Sequence, residues 1–297
     1  MGPTASGKSA LALALAERIG GEIVNADSMQ VYRDFRVLTA RPTIEEEAQA
    51  PHHLYGRVDA AERYSTGRWL TDALTAIADV RARDKTPILV GGTGLYFKAL
   101  TQGLAEMPSV DPDLRAALTQ RAASEGAPTL HAELATLDPQ TAARLEPNDA
   151  PRIIRALEVL ETTGESITSF QANTRPALAA HEWRGLALTP DREALYAAIN
   201  TRFERMLEQG ALDEVRAFAA RNLDPTLPAT KAHGAPALGA YLRGEISLAA
   251  ATEIGQRDTR RYAKRQFTWI ANQMPDWPRI SDAPLDRRVA AARALLR

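Results

Sequence analysis

The chain contains no cysteine among its 297 residues. This absence excludes disulfide bonds, thiolate nucleophiles and cysteine-ligated zinc, and it agrees with a reducing compartment. A run of about 18 apolar residues and an N-terminal signal pattern are missing as well. We therefore expect a cytoplasmic protein without a membrane anchor, in which any metal ion is bound through oxygen.

An excess of positive charge is also lacking. Lys and Arg total 36 against 37 for Asp and Glu, which gives a formal net charge of -1. A nucleic-acid surface would therefore have to arise from local clusters of basic residues. Hydrophobic residues make up 45% of the chain, which is enough apolar material for a packed core and argues against disorder.

The order of the expected elements predicts an α/β fold. Short buried strands are expected over residues 22–26 and 87–90, with a helix over residues 65–84 between them. Such alternation is typical of a parallel sheet flanked by helices. Ala-rich amphipathic helices follow one another from residue 111. We predict a first core part over 1–110, an all-helical insertion over 111–182, and a second, mainly helical core part over 183–297.

A phosphate-binding loop opens the chain. Its spacing is G-x-x-x-x-G-K-[ST], which lets successive backbone N–H groups converge on phosphate oxygens while Lys8 adds charge and Ser9 offers a hydroxyl to Mg²⁺. The helix that follows points its positive end at the same anion. Because only Met1 precedes the loop, we expect either a late start of the chain or a sheet without the usual preceding strand. The predicted phosphate-binding residues are Gly2, Pro3, Thr4, Ala5, Ser6, Gly7, Lys8 and Ser9.

Asp27 follows the first predicted strand, at the sheet edge where ligands of α/β proteins bind. It is a candidate general base or metal ligand, and the alternative is a role in turn formation. The polar segment that begins at Asp27 and continues through Ser28, Met29 and Gln30 suits the reading of a base edge. The loop alone leaves kinase, NTPase and diphosphate-using transferase open.

Four segments together resemble the tRNA dimethylallyltransferase family, and the resemblance covers nearly the whole chain. They are the phosphate loop, Asp-Ser-Met-Gln-Val-Tyr at 27–32, Gly-Gly-Thr-Gly-Leu-Tyr at 91–96, and Pro-Asn-Asp at 147–149 followed by Arg152 and Arg155. The resemblance implies a P-loop NTPase-like core, dimethylallyl diphosphate as donor and Mg²⁺ as cofactor. It implies as acceptor N6 of adenosine 37 in tRNAs that read codons beginning with U.

The chemistry of such a transfer agrees with the residues present. Negative charge develops on the departing diphosphate and must be stabilised. Adenine N6 is a poor nucleophile, so an acceptor for its proton helps as the bond forms. Asp27 is the candidate base. The resemblance implies that Arg202 adds charge near the diphosphate or the allyl group. The predicted catalytic residues are Asp27, Lys8, Ser9 and Arg202, with Ser9 as the metal ligand.

A basic helix near the C-terminus is the clearest polyanion signal. Arg257, Arg260, Arg261, Lys264 and Arg265 fall within an arc of roughly 140°, opposite an apolar face. A solvated helix is the alternative. The resemblance adds further positions, where ordinary surface arginines are the alternative. The predicted tRNA-binding residues are Asp27, Ser28, Met29, Gln30, Thr93, Arg115, Pro151, Arg152, Ile153, Ile154, Arg155, Arg257, Arg261, Lys264 and Arg265.

Two stretches depart from the family pattern. Many relatives read G-M-D-I-G-T-A-K-P where residues 34–42 read D-F-R-V-L-T-A-R-P, and A-x-G-Y-[KR] where residues 232–236 read A-H-G-A-P. The role of the second loop therefore cannot be transferred. His52 and His53 have no carboxylate cluster beside them, which favours a packing role.

The rival functions are an isopentenyltransferase acting on free nucleotide, a P-loop small-molecule kinase, and a non-catalytic RNA-binding module. We expect a monomer that binds tRNA and dimethylallyl diphosphate and no membrane.

Overall fold

The computed structural model describes residues 1–172, 174–281 and 283–295. The chain divides into two compact units, which we call the core unit (Met1–Lys98 with Ala180–Arg297) and the helical unit (Ala99–Ala179). The helical unit thus begins twelve positions before the predicted residue 111. The segment after residue 98 belongs to it because the N–H groups of Ala177 and Leu178 both donate to the Leu100 carbonyl, each at 3.0 Å.

The described elements are as follows. The α-helices are α1 (Lys8–Ile19), α2 (Ile44–Gln49), α3 (Thr66–Arg81), α4 (Gly94–Thr101), α5 (Pro112–Glu125), α6 (Ala127–Leu137), α7 (Pro139–Ala142), α8 (Ala150–Thr163), α9 (Ile167–Ala172), α10 (Arg192–Glu208), α11 (Ala211–Ala219), α12 (Ala235–Leu242), α13 (Leu248–Gln273) and α14 (Leu285–Leu295). The strands are β1 (Gly21–Asn25), β2 (His52–His53), β3 (Thr86–Val90), β4 (Ala187–Leu188) and β5 (Arg279–Ile280).

The main sheet of the described chain has the order β2-β1-β3, and both pairings are parallel. Its central strand β1 is buried along its whole length, which explains why the sequence shows an apolar run there instead of alternation. The predicted parallel α/β organisation is confirmed. Strand β2 was not predicted. Its two histidines contact other parts of the protein: the Nε2 atom of His53 lies 2.6 Å from the Glu22 carboxylate, and the Nδ1 atom of His52 lies 2.7 Å from Ala50 O. The packing role stays a prediction.

A second, two-stranded parallel sheet pairs β4 with β5. The N-terminal residues join it to the main sheet. The Met1 amino group donates to Leu186 O at 2.7 Å, Leu188 N donates to Met1 O at 2.9 Å, and Gly2 N donates to Gly91 O at 3.3 Å. Burial, with a smaller effect of Lys8, lowers the pKa of the Met1 amino group to about 5. The start of the phosphate loop is therefore fixed between the end of β3 and β4.

Buried aromatic packing holds the elements behind the site. Ser65 caps α3 by accepting a hydrogen bond from Arg68 N at 3.1 Å, which matches the predicted helix start within a residue. From α3, the fully buried Trp69 stacks on Tyr96 with 4.1 Å between ring centroids. Its indole N–H donates to the carbonyl of Asn25, the last residue of β1, at 2.8 Å. The end of β1 is thereby held in place.

The helical unit has its own apolar core, and its described residues form helices and no strand. The core consists of residues from helices that follow one another along the chain. The buried side chains include Leu118, Leu130, Leu134, Ile153 and Leu157. The predicted all-helical character of this region is therefore confirmed.

Within the described part of the chain, no helix has both the length and the apolar character required to cross a membrane.

Candidate active site

The phosphate loop has the geometry of an anion cradle. Gly7 precedes α1 with φ at +78°, a conformation in which glycine carries no steric penalty, and no side chain caps the helix. The first N–H groups of an α-helix have no partner within the helix, so here they are available to an anion. The loop is anchored from behind, because Arg288 donates to Ser6 O at 2.8 Å.

Two cations and one carboxylate lie at this loop. Lys8 donates to Pro3 O at 3.3 Å, so its side chain folds back over the loop. Burial lowers the pKa of Lys8 to about 8, with Asp27 opposing the shift and Arg202 adding to it. Burial likewise lowers the pKa of Arg202, on α10, to about 10, again opposed by Asp27. Arg202 also donates to the Thr4 hydroxyl. The loop therefore presents poorly hydrated positive charge beside Asp27.

Asp27 is held by the residue at the end of β1. The fully buried Asn25 accepts from Asp27 N at 2.8 Å and donates to Asp27 O at 3.0 Å. The Oδ1 atom of Asp27 accepts from Met29 N at 2.9 Å, so the turn-forming role is present. Its Oδ2 atom has no hydrogen bond to any described residue. One oxygen thus shapes the turn while the other remains available to a ligand.

The Gly-Gly-Thr-Gly segment packs directly against this turn. A Cβ atom on Gly91 would lie 1.9 Å from Ala26 O, so only glycine fits there. The Thr93 hydroxyl accepts from Ser28 N at 3.0 Å and donates to the Ser28 hydroxyl at 3.3 Å. Two segments that the sequence assigned to tRNA binding are therefore neighbours.

Gln266 connects the phosphate loop to the same segment, and the sequence analysis did not assign it a role. Its side chain is 3% exposed. The Oε1 atom accepts from Thr4 N at 2.8 Å and the Nε2 atom donates to Gly92 O at 2.9 Å. The available signal was its position, since a glutamine on the buried face of a helix needs polar partners.

A cavity of about 60 Å³ in the core unit is lined by two of the predicted catalytic residues, Asp27 and Arg202. Both charged or polar side chains and apolar side chains line it. Lys8 and Ser9 are not among the lining residues. The lining residues are Thr4, Asp27, Met29, Leu38, Thr39, Ile199, Arg202, Phe203, Met206, His233, Thr259 and Tyr262.

Most of the cavity wall was missed by the sequence analysis. His233 belongs to the divergent stretch 232–236, and its ring centroid lies 4.6 Å from that of Tyr262. Burial and the nearby Arg265 lower the pKa of His233, against the opposing effects of Asp27 and Asp258. A neutral imidazole therefore faces the site at neutral pH.

Gln30 is committed to the backbone of a neighbouring loop. Its Nε2 atom donates to Thr39 O and to Ala40 O, both at 2.8 Å. The predicted contact of Gln30 with tRNA stays a prediction, and within this arrangement only its Oε1 atom has spare capacity.

The predicted basic surface on α13 is exposed. Arg257, Arg261, Lys264 and Arg265 face solvent, whereas Arg260 is half-buried and donates to the Asn200 side chain. One acid on this face, Asp258, lies 3.5 Å from Arg257 and 3.7 Å from Arg261. The opposite face of the helix is buried, as the sequence predicted. The role of these side chains in RNA binding stays a prediction.

In the helical unit, Glu158 organises two of the predicted tRNA-binding arginines. It is 1% exposed, and it accepts two hydrogen bonds from Arg115, at 2.6 and 2.8 Å, and one from Arg155, at 2.9 Å. Burial alone would raise the pKa of Glu158, but these hydrogen bonds outweigh burial and hold it below its usual value. Half of the Arg115 side chain remains exposed, so its guanidinium is oriented and still accessible.

The remaining predicted residues of this region differ in accessibility. Pro151 and Arg152 are exposed, and Arg152 pairs with Asp149 at 3.0 Å. Ile154 is half-buried against the core of the helical unit. Ile153 is fully buried in that core, so its side chain is not at the surface predicted for RNA contact. The reason is the apolar stripe of α8, on which Ile153 and Leu157 share one face.

Comparison with known sequences identifies the family. The family described as IPP transferase matches residues 30–273 of the chain. The chain belongs to the IPP transferase family. The tRNA dimethylallyltransferase of Nitrobacter hamburgensis is 57% identical over 277 residues, which span 93% of this chain and 87% of the relative. That of Hyphomonas neptunium is 53% identical over 297 residues, which span 100% of this chain and 94% of the relative.

Solved structures of IPP transferases confirm the fold. The tRNA isopentenylpyrophosphate transferase of Bacillus halodurans matches with a TM-score of 0.70 and 34% identity, over 99% of this chain and 92% of the other. A eukaryotic dimethylallyltransferase acting on tRNA matches with a TM-score of 0.82 and 29% identity, over 99% and 76% of the two chains. The P-loop NTPase-like fold and the family resemblance expected from the motifs are both confirmed.

Proposed function

We propose that the chain transfers the dimethylallyl group from dimethylallyl diphosphate to N6 of adenosine 37, in tRNAs that read codons beginning with U. The observation that carries the proposal is the single cavity in which Thr4, Asp27 and Arg202 meet the apolar side chains of Phe203 and Met206. A diphosphate with a short hydrocarbon tail needs both kinds of wall.

The reaction forms one bond and breaks one bond. The lone pair of adenine N6 attacks the first carbon of the allyl group, and the bond from that carbon to the diphosphate oxygen breaks, with its electron pair leaving on the diphosphate. The N6 atom then carries a surplus proton. Asp27 accepts this proton. Its Oδ2 atom can do so because no described residue donates a hydrogen bond to it.

Stabilisation of the leaving group falls to the phosphate loop. The N–H groups at the start of α1, together with Lys8 and Arg202, supply hydrogen bonds and positive charge where negative charge develops. Partial burial strengthens this effect, because water screens these cations less than it would at an open surface.

The residues of the loop also fit Mg²⁺. The described residues contain no group of three or more His, Asp or Glu side chains able to hold a metal ion by themselves. Mg²⁺ commonly relies on one protein oxygen together with phosphate oxygens of its ligand, and the Ser9 hydroxyl is suited to that part. When bound, Mg²⁺ would supply further positive charge to the diphosphate.

The tRNA would be held mainly through its phosphates. The exposed cations Arg257, Arg261, Lys264 and Arg265 of α13 offer such contacts, as do Arg115 and Arg155 in the helical unit. Adenosine 37 would have to leave its stack for N6 to reach a cavity. We assign contact with the displaced base to Thr93, a choice supported by its hydrogen bond from Ser28 N, next to Asp27 in the sequence.

One assay tests the proposal against its rivals. The protein is incubated with dimethylallyl diphosphate, Mg²⁺ and unmodified tRNA, and digested tRNA is analysed by mass spectrometry. A five-carbon addition at adenosine 37 is expected. Modification of free AMP, ADP or ATP would instead favour a nucleotide isopentenyltransferase, phosphate transfer from ATP a kinase, and tRNA binding without product a non-catalytic module. The cytoplasmic location and the monomeric state stay predictions.

A further inference from the structure

We propose that Glu214, on α11, is a positioning residue that fixes the wall segment of the cavity, defined as residues 36–39, and thereby sets how tightly the allylic donor is held. The inference rests on the proposed function, since it assigns the apolar part of the cavity to the donor. Glu214 does not line the cavity itself.

The carboxylate of Glu214 accepts hydrogen bonds from three consecutive backbone N–H groups. Its Oε1 atom accepts from Arg36 N at 2.9 Å and from Val37 N at 2.8 Å, and its Oε2 atom accepts from Leu38 N at 3.0 Å. Three successive N–H groups that converge on one anion form a compact, charge-assisted arrangement. The segment therefore owes its conformation to a side chain about 180 positions away along the sequence.

A second contact fixes the other end of the wall segment. Gln30 donates to Thr39 O and Ala40 O, and the Thr39 hydroxyl donates to Phe35 O at 2.9 Å. Ala40 has φ at +51°, a conformation that a residue other than glycine adopts only when its surroundings impose it. The segment is thus held at both ends, and Glu214 supplies the larger number of bonds.

Two residues of the wall segment line the cavity. Leu38 and Thr39 line it, and Leu38 packs in one apolar cluster with Phe203 and Met206, which line it too. The ring of Phe35 packs against that of Phe218 of α11 at an interplanar angle of 37°, with ring centroids 4.6 Å apart. Release of the Leu38 N–H group would allow this apolar wall to move away from a small tail while leaving Thr4, Asp27 and Arg202 in place.

The wall segment lies within the divergent stretch 34–42, in which this chain has the sequence D-F-R-V-L-T-A-R-P. The position of the backbone matters here, because a small shift moves the branched side chain of Leu38 in the cavity wall and that of Val37 in the apolar cluster behind it. Glu214 accepts hydrogen bonds from the backbone N–H groups of these same two residues.

Two variants of different severity test the proposal. Glu214→Gln keeps one acceptor oxygen, which can serve Arg36 and Val37, but turns an NH₂ group towards Leu38 N. Glu214→Ala removes all three acceptors. The control is Asp213→Asn on the same helix turn, because Asp213 is exposed and pairs with Arg216. Steady-state constants are measured for dimethylallyl diphosphate and for tRNA, with melting temperature alongside.

We expect the KM for dimethylallyl diphosphate to rise about tenfold in Glu214→Ala and about threefold in Glu214→Gln. The kcat and the KM for tRNA should change less than about twofold, and geranyl diphosphate should become a better donor relative to dimethylallyl diphosphate. Asp213→Asn should match the wild type. A fall in kcat with unchanged donor KM, or a Glu214→Gln variant indistinguishable from the wild type, would overturn the proposal.

Titration calorimetry with dimethylallyl diphosphate and Mg²⁺ separates this inference from the proposed function. If the wild type binds the donor and the variants bind it more weakly in the same order, but no tRNA is prenylated, the proposed acceptor is wrong and the role of Glu214 stands. If the wild type prenylates tRNA and all variants bind the donor equally, only the role of Glu214 is refuted.

Discussion

The core unit and the helical unit each contain a carboxylate near positively charged side chains, but the two acids differ in their spare hydrogen-bonding capacity. Asp27 in the core unit lines a cavity and uses Oδ1 to shape a turn, while Oδ2 has no bond to a described residue. Glu158 in the helical unit is buried, and both of its oxygens accept from arginines. The first can take a proton, and the second can only orient its partners.

The positively charged side chains near these two acids also differ, in how far they are exposed to water. In the core unit, burial lowers the pKa of Lys8 and of Arg202, so their charge is poorly hydrated and acts strongly on a bound anion. In the helical unit, half of the Arg115 side chain is exposed, so salt screens its interactions. Changes at Lys8, Asp27 and Arg202 should therefore alter chemistry and donor binding, and changes at Arg115 should alter tRNA affinity.

The largest effect is expected at the phosphate loop. Replacement of Lys8 by Ala removes a poorly hydrated positive charge from the leaving group, and we expect kcat/KM for dimethylallyl diphosphate to fall about 10³-fold. Lys85→Ala, at an exposed lysine before β3, is the matched control and should retain activity. A loss for Lys8→Ala smaller than tenfold would show that the loop does not stabilise the departing diphosphate.

The next effect concerns the proton acceptor. Asp27→Asn keeps the turn, because the amide oxygen still accepts from Met29 N, but it can no longer accept a proton. We expect kcat to fall about 10²- to 10³-fold with little change in either KM. Single-turnover measurements with saturating donor and tRNA give the predicted fall in rate directly. Asp79→Asn, on the exposed side of α3, serves as the control, and equal kcat values for Asp27→Asn and the wild type would exclude Asp27 as the base.

The pH dependence of donor binding probes the buried lysine. The pKa of Lys8 is lowered to about 8, and the charged form binds diphosphate. The value of kcat/KM for the donor should therefore be highest below about pH 8 and fall about tenfold per unit above it. Measured from about pH 6 to about pH 10, Lys8→Arg should lose this alkaline fall, because guanidinium stays charged. A fall that persists unchanged in Lys8→Arg would assign it to another group.

The smallest effect is expected in the helical unit. Arg115→Ala removes one exposed cation, so the KM for tRNA should rise about tenfold and the slope of log affinity against log salt should lessen by about 1, with kcat nearly unchanged. Filter binding over a range of salt concentrations measures both. Arg121→Ala on the same helix is the control, since Arg121 pairs with Glu125 and Glu133. A drop in kcat for Arg115→Ala would break the contrast between the two units.

Features that depend on local spacing could be predicted from the sequence. The phosphate loop, the position of Asp27 after β1 and the exposed basic face of α13 follow from neighbouring residues, because turn geometry and helical periodicity act over a few positions. The same periodicity could have shown that Ile153 belongs to the buried face of α8, as it does.

The distant residues that complete the site could not be predicted, because folding alone brings them together. Gln266 reaches Thr4 across 262 positions, and Glu214 holds Leu38 across 176 positions. His233 enters the cavity wall from the turn before α12, and Tyr262 enters it from α13. Such contacts leave no pattern in a single sequence, because each residue type there is ordinary for its own element. Such a residue becomes part of the site only through the burial and the hydrogen-bond partner that folding gives it.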